Sequence, residues 1–239
     1  MLEGIEASRR AMLALLRKRG VLDENVLAAM VRVPRERFVP AALVGEAYAD
    51  RPLPIERGQS ISQPYIVAVM TAALELRPGD HVLEIGTGTG YAAAVLAELA
   101  THVDTIERIP ELAATARVRL AAMGYSINVH TGDGTLGWPS HAPYDAIVVT
   151  AGGPRVPPAL VEQLAPGGRL VMPVGDVEDQ HLLRVTALDN GKCSTEDLGA
   201  VIFVPLVGVA GWPIRSELDA LGAVPIRSSR RSRATLRLD

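Results

Sequence analysis

The chain of 239 residues has a single cysteine, Cys193, so no intramolecular disulfide can form and nothing points to an oxidising compartment. Aromatic residues make up only 4%, too few for a base-stacking platform, and a net charge of -3 argues the same way against nucleic acid as a partner. No apolar run approaches the roughly 18 residues that a membrane-spanning helix needs. The amino-terminal stretch mixes Glu3, Glu6, Arg9 and Arg10 into its apolar positions, unlike the basic-then-apolar order of a secretory signal. A cytoplasmic protein with no membrane partner is therefore expected. The histidines, at 81, 102, 130, 141 and 181, stand apart with no HxxxH or CxxC spacing, and no GxSxG elbow occurs. A dedicated metal site and a serine hydrolase are both disfavoured. The remaining composition, 48% hydrophobic and 21% charged, is that of a globular chain long enough to bury the core of one domain.

The most informative stretch that is present is VLEIGTGTGY, residues 82–91. Val82, Leu83 and Ile85 make the apolar run of a buried parallel strand, Gly86, Gly88 and Gly90 let the backbone turn sharply against a ligand, and YAAAVLAELA continues as a helix. The spacing is GxGxG, one residue short of the dinucleotide fingerprint GxGxxG. Glu84 precedes the first glycine by two residues, and a carboxylate there suits a cation better than a pyrophosphate. Both features favour S-adenosylmethionine, which carries an ammonium and a sulfonium, over a nicotinamide dinucleotide. Glu107 ends the next strand, HVDTIER, about 20 residues beyond the glycines, where a carboxylate can accept hydrogen bonds from ribose hydroxyls. Asp133 and Gly134 close a third strand, INVHTGDG, at a carboxyl end where ligands collect. Asp133 admits two readings there, an adenine amino acceptor or a turn residue.

Around this centre the pattern alternates. Two amphipathic helices open the chain, the first stopped near Gly20 and the second capped by Asp23 and ended before Pro34. PRERFVP follows as a proline-bracketed turn whose Arg35 and Arg37 read as solvated charges. An extended loop, ADRPLPIERGQ, delivers GQSISQPYIV, in which Ser60, Ser62 and Gln63 crowd polar groups ahead of Pro64 at a helix start. Capping and substrate contact are both open readings of that cluster. After the third strand come YDAIVVTAGG, the helix VPPALVEQLAPGG and the strand RLVMPVG, so β and α elements alternate. The expected fold is α/β, a Rossmann-like doubly wound and mostly parallel sheet with helices on both faces. HLLRVTAL and LGAVIFVPLVG, joined by a turn at 189–192, should add antiparallel strands. One domain over 1–212 is expected, with 1–78 carrying the helical cap and the polar loop, 79–175 the cofactor core and 176–212 the last strands. The segment 213–239, with Arg227, Arg230, Arg231, Arg233 and Arg237, reads as a solvated extension or a basic arm for an acidic partner.

Together, GQSISQPYIV, VLEIGTGTGY, TIER, GDG, YDAIVVTAGG, LAPGGRLVMPVG and FVPLVG resemble, in order, the protein-L-isoaspartate O-methyltransferase family. The glycine turn is common to many adenosylmethionine-dependent methyltransferases, whereas the ISQP segment is particular to that family. The resemblance implies methyl transfer from S-adenosyl-L-methionine to the free carboxylate of L-isoaspartyl residues in damaged proteins and peptides, followed by closure to a succinimide. It carries Ser62 over as the active-site serine and Glu84, Gly86, Glu107 and Asp133 as cofactor positions, with Thr87, Gly88, Gly90, Arg108 and Gly134 beside them. Ser60, Ile61 and Ser62, with Val207 and Gly208, become the substrate-holding segments of an enzyme expected to act as a monomer. A carboxylate nucleophile is ionised at neutral pH, which explains a site that needs no histidine base. PIRSELDALGAVPIRSSRRSRATLRLD does not align with the family core. A relative that esterifies a chosen aspartate in one partner peptide, or a silent cofactor-binding interaction module, would keep the same glycine turn.

Overall fold

The computed structural model describes residues 2–188 and 191–213; the extension beyond Pro213 and the centre of the expected 189–192 turn lie outside them. Helix α1 (Leu2–Lys18) ends at Gly20, and α2 (Glu24–Arg32) starts where the Asp23 carboxylate accepts the amides of Asn25 and Val26 at 2.9 and 3.1 Å. Met12 and Leu16 of α1 and Val26, Leu27 and Met30 of α2 are buried in one cluster, so the pair forms a cap by burying its apolar stripes. Two 3-10 turns follow, then a small antiparallel pair, β1 (Leu53–Pro54) and β2 (Ser60–Ile61), and α3 (Pro64–Ala73) with Pro64 in its first turn.

The main sheet contains β3 (His81–Ile85), β4 (His102–Glu107), β5 (Asn128–Thr131), β6 (Tyr144–Val149), β7 (Leu164–Gly175), β8 (Gln180–Ala187) and β9 (Cys193–Val201). Its order is β5-β4-β3-β6-β7-β8-β9, parallel from β5 through β7 and antiparallel beyond. Helices α4 (Tyr91–Ala97), α5 (Pro110–Ala122) and α6 (Pro158–Glu162) connect the parallel strands. Alternation along the strands sorts the core into two faces. Val82, Val103, Ala146, Val148 and Val171 pack with Met70 of α3, Leu74 just after it and Leu96 of α4, whereas Leu83, Ile106, Ile147, Val149 and Leu170 pack with Leu160 of α6. The expected doubly wound sheet is therefore present, and β3 lies at the switch point between the crossovers to β4 and β6.

Two boundaries differ from expectation. The helix predicted over VPPALVEQLAPGG is only the short α6, because β7 already pairs with β6 at Leu164 and the register shifts before Arg169. The last strand starts earlier, at Cys193, and stops at Val201 rather than running through FVPLVG. Gln180 binds both backbone groups of Phe203, and Leu206 donates to Gly152 O at 2.8 Å, which carries the chain back to the end of β6. Pro205, with no amide hydrogen, could not have continued the ladder.

The carboxyl ends of the parallel strands face the glycine turn, while their amino ends are closed by Asp104. Its Oδ2 accepts His141 Nδ1 at 2.8 Å and His81 Nε2 at 2.9 Å, and its Oδ1 accepts Asn128 Nδ2 at 2.8 Å. Histidines that stand apart in sequence thus converge, and His141 stacks on Trp138 with ring centroids 3.9 Å apart. Burial opposes the Asp104 charge, but the bonds from Asn128, His141 and His81 outweigh it and hold the pKa below its ordinary value. A carboxylate depressed in the folded state adds stability that is present above its unfolded pKa and lost as pH falls through its folded one. Asp104→Ala is expected to cost about 1–3 kcal/mol at pH 7. In urea unfolding, the gap between wild type and variant should narrow below about pH 4. A gap that is absent at pH 7 or constant with pH would refute this.

Candidate active site

Where β3 ends, the backbone leaves the sheet at Gly86 with φ of 98°. A side chain there would put its Cβ 2.3 Å from Thr150 Oγ1, and that hydroxyl donates to the carbonyl oxygens of Gly86 (2.8 Å) and Ile85 (3.0 Å). Position 86 must be glycine for the turn to lie against β6. Glu107, at the end of β4, is buried and holds the same turn from the other side. Its Oε2 accepts the Gly88 amide and its Oε1 the Ile109 amide, both at 2.9 Å. Each oxygen keeps a lone pair free on the wall of a cleft lined by Ile85, Gly86, Gly88, Ile106, Arg108, Ile109, Gly134 and Thr150. On the opposite side the cleft is bounded by Ser60 and by 204–207.

Glu84 occupies a different position from the one expected of a carboxylate facing a cationic ligand. It is fully buried beneath the turn and lines no part of the cleft. Its Oε2 accepts the Thr105 hydroxyl at 2.5 Å, Thr105 in turn is 2.6 Å from the Thr87 hydroxyl, and among the described residues Oε1 has no partner. Burial pushes its pKa up to about 8, the Thr105 bond pulls it down and the nearby Glu107 charge adds to the rise. At neutral pH the group therefore mostly keeps its proton, because among the described residues no cation offsets its desolvation. Gly90 lies outside the cleft as well: it precedes α4 and packs against Leu120.

Ser60, Ile61 and Ser62 border a narrow recess that adjoins the cleft and shares Gly86, Gly88 and Thr150 with it, and Thr87 lines the same recess. Gln63 makes no capping bond to α3; its side-chain amide donates to Asp50 O at 2.9 Å, and Asp50 Oδ1 accepts the Tyr65 amide at 3.0 Å. The Ser62 carbonyl accepts Arg35 Nη2 at 2.7 Å. Thus the backbone of the segment is anchored from two sides, and capping does not explain its serines. Arg35 corrects its reading as a solvated charge: it is completely buried. Its neighbour Arg37 is exposed, as expected of a charged turn.

Asp133 and the 207–212 segment form one unit. Asp133 Oδ1 accepts the amide and hydroxyl of Thr135 at 2.9 and 2.7 Å, and Oδ2 accepts the Val209 amide at 2.8 Å. Thr135 Oγ1 also accepts the Ala210 amide at 3.1 Å, and a Cβ on Gly208 would lie 2.1 Å from Asp133 Oδ1. Of the two readings of Asp133, the turn role is thus present, and the same side chain seats the loop carrying Val207 and Gly208. These three residues, with Arg108 and Trp212, line a second cleft continuous with the first through Arg108 and Val207. The fold brings together Ser60, Gly86, Gly88, Glu107, Arg108, Gly134 and Val207, with Ile61, Ser62 and Thr87 adjoining. Sequence reasoning missed Thr150, Thr105, Thr135 and Arg35. Thr150 carried a usable signal, a polar residue at the carboxyl end of a strand beside the switch point; the others are hydroxyls and a cation whose partners come from distant segments.

A profile of the family "Protein-L-isoaspartate(D-aspartate) O-methyltransferase (PCMT)" matches residues 7–211. The chain is 58% identical over 196 residues to the protein-L-isoaspartate O-methyltransferase of Rhodopseudomonas palustris, covering 81% of this chain and 90% of that one. Among solved structures it is similar to a protein-L-isoaspartate O-methyltransferase at 29% identity and a TM-score of 0.75, over 85% of this chain and 67% of the other. A Plasmodium falciparum protein solved with S-adenosyl-L-homocysteine shares the fold at 24% identity, with a TM-score of 0.72 over 83% of this chain and 98% of that one.

Glu84 gives the site a pH signature. Its folded pKa, about 8, lies above the ordinary 4.5, so the stability it contributes is complete below 4.5 and is lost as pH rises through 8. The ligand-free protein should resist urea less at pH 8.5 than at pH 5, and Glu84→Gln should flatten that slope. An unchanged slope in the variant would assign the trend to another group.

Proposed function

The chain belongs to the protein-L-isoaspartate(D-aspartate) O-methyltransferase family, and we propose that it transfers a methyl group from S-adenosyl-L-methionine to the free carboxylate of L-isoaspartyl residues in proteins and peptides. The ester closes to a succinimide as the neighbouring backbone amide nitrogen attacks the ester carbonyl and methanol leaves, and hydrolysis of the ring returns part of the damaged material to normal aspartate. The observation that carries this reading is Ser62: among the described residues its hydroxyl has no hydrogen-bond partner, while its backbone is anchored beside the glycine turn.

The residues present fit the cofactor. Glu107 offers acceptors for ribose hydroxyls on the cleft wall, Gly86 and Gly88 let a ligand approach backbone without meeting a Cβ, and Ile85, Ile106, Ile109 and Leu206 supply apolar walls. Glu84 Oε1, buried without a partner, is an acceptor that a cationic ligand group nearby would stabilise as the carboxylate. Gly134 lines the same cleft, and Asp133 fixes the loop beside it. When bound, S-adenosyl-L-methionine supplies an electrophilic methyl carbon on a sulfonium. The acceptor carboxylate is already ionised, so the protein needs no base; its task is to orient one carboxylate oxygen and strip it of water. Ser62 donates the orienting hydrogen bond, Ser60 and Ile61 offer edge-strand backbone, and Val207 and Gly208 hold the other side of the substrate chain.

The same reading makes 1–212 one methyltransferase domain acting as a monomer. The free, exposed Cys193 supports a reducing, cytoplasmic setting. Among the described residues no helix is long and apolar enough to cross a membrane.

A methyl-transfer assay on matched isoaspartyl and aspartyl peptides should label the isoaspartyl form alone; equal labelling of both, or of neither, would refute the proposal. Ser62→Ala should lower kcat about 10–100-fold with cofactor Kd nearly unchanged. Glu107→Ala should show the reverse balance, weakening cofactor binding by about 10–100-fold through hydroxyls and amides left unpaired. Calorimetric cofactor binding beside initial rates separates the two.

A further inference from the structure

Arg35 is held in a way that fold stability alone does not explain. Its guanidinium is completely buried, and among the described residues no carboxylate pairs with it. Asp50, the carboxylate that contributes to its field, is already spent on the Tyr65 amide and on an ion pair with Arg19. Burying an unpaired cation is costly, and an apolar side chain of similar size would fill the same space at less cost. What the cation provides is reach: Nε donates to Ala47 O and Nη2 to Ser62 O, each at 2.7 Å, while the guanidinium carbon lies 4.6 Å from the centre of the Tyr91 ring. Tyr91 opens α4 directly after the glycine turn and lines the same recess as Ser62. Arg35 Nη1 and Tyr91 Oη are both buried and lie near enough to attract one another, but among the described residues neither makes a well-formed hydrogen bond, so the guanidinium is not placed to satisfy all its own donors. It joins the carbonyl of the serine segment to the first residue of the helix behind the glycine turn.

We propose that Arg35 is a positioning residue for methyl transfer, setting the height of the Ser62 hydroxyl above the glycine turn by clamping the Ser62 carbonyl against Tyr91 and Ala47. This rests on the assignment of Ser62 as the residue that orients the acceptor. Its bonds reach Ser62 only through the main chain, which leaves the hydroxyl free for substrate. The planar fork spans two carbonyls and lies over an aromatic face, a combination that a lysine ammonium cannot reproduce while keeping the charge.

The test compares Arg35→Lys, Ser62→Ala and the double variant by isoaspartyl-peptide kinetics and cofactor calorimetry. Arg35→Lys is expected to lower kcat at least 10-fold while cofactor Kd stays within about threefold. In the Ser62→Ala background the same change should cost less than threefold, because the hydroxyl it positions is gone. Equal losses in both backgrounds, or loss of cofactor binding in step with turnover, would overturn the proposal and leave Arg35 a residue that only stabilises the fold. Wild-type turnover in Arg35→Lys would overturn it as well. Ser62→Ala measured alone separates this from the reading beneath it: full activity there removes Ser62 from the site whatever Arg35 does.

Discussion

The Glu107 carboxylate ties the turn after β3 to the turn after β4 through two backbone amides, and the cleft exists because those two turns are held apart at a fixed spacing. With Thr150 bracing Gly86 from β6, the glycine turn is fixed from both neighbouring strands at the switch point of the sheet. A ligand that meets this turn finds donors and acceptors already in place, so little ordering entropy remains to be lost on binding.

The other structural economy is the use of one end of the sheet for stability and the other for chemistry. Asp104 gathers His81, His141 and Asn128 at the amino ends of the strands, where all the partners are satisfied by one carboxylate. At the carboxyl ends, among the described residues, Glu84 Oε1, Tyr91 Oη and Arg35 Nη1 are buried without a well-formed hydrogen bond, and the Ser62 hydroxyl has no partner. Such unsatisfied groups cost stability, and the three buried ones are gathered beneath and behind the glycine turn.

Much of this was legible in the chain itself. Local periodicity and capping located the parallel strands and most helices, because strand alternation, a capping Asp23 and Pro64 at a helix start act over a few residues. Glycine spacing and the carboxyl-end rule found Gly86, Gly88, Glu107 and Gly134 in one cleft. The misreadings arose where a side chain's partner is distant in sequence. Arg35 looked like a surface charge because Ser62 and Tyr91, which bury it, are 27 and 56 positions away. Glu84 carried the right residue type, but whether a carboxylate is ionised depends on burial, which a strand position alone does not give.

By itself the sequence determined the fold class, the family resemblance and the segment that bears Ser62, since all three depend on ordered local motifs. Only the tertiary structure decided which charges face the cleft and which lie beneath it. Desolvation and hydrogen bonding are set by neighbours that the fold brings together, as with the buried Glu84 under the turn, the buried Arg35 behind the serine segment and the Asp133 that seats the 207–212 loop.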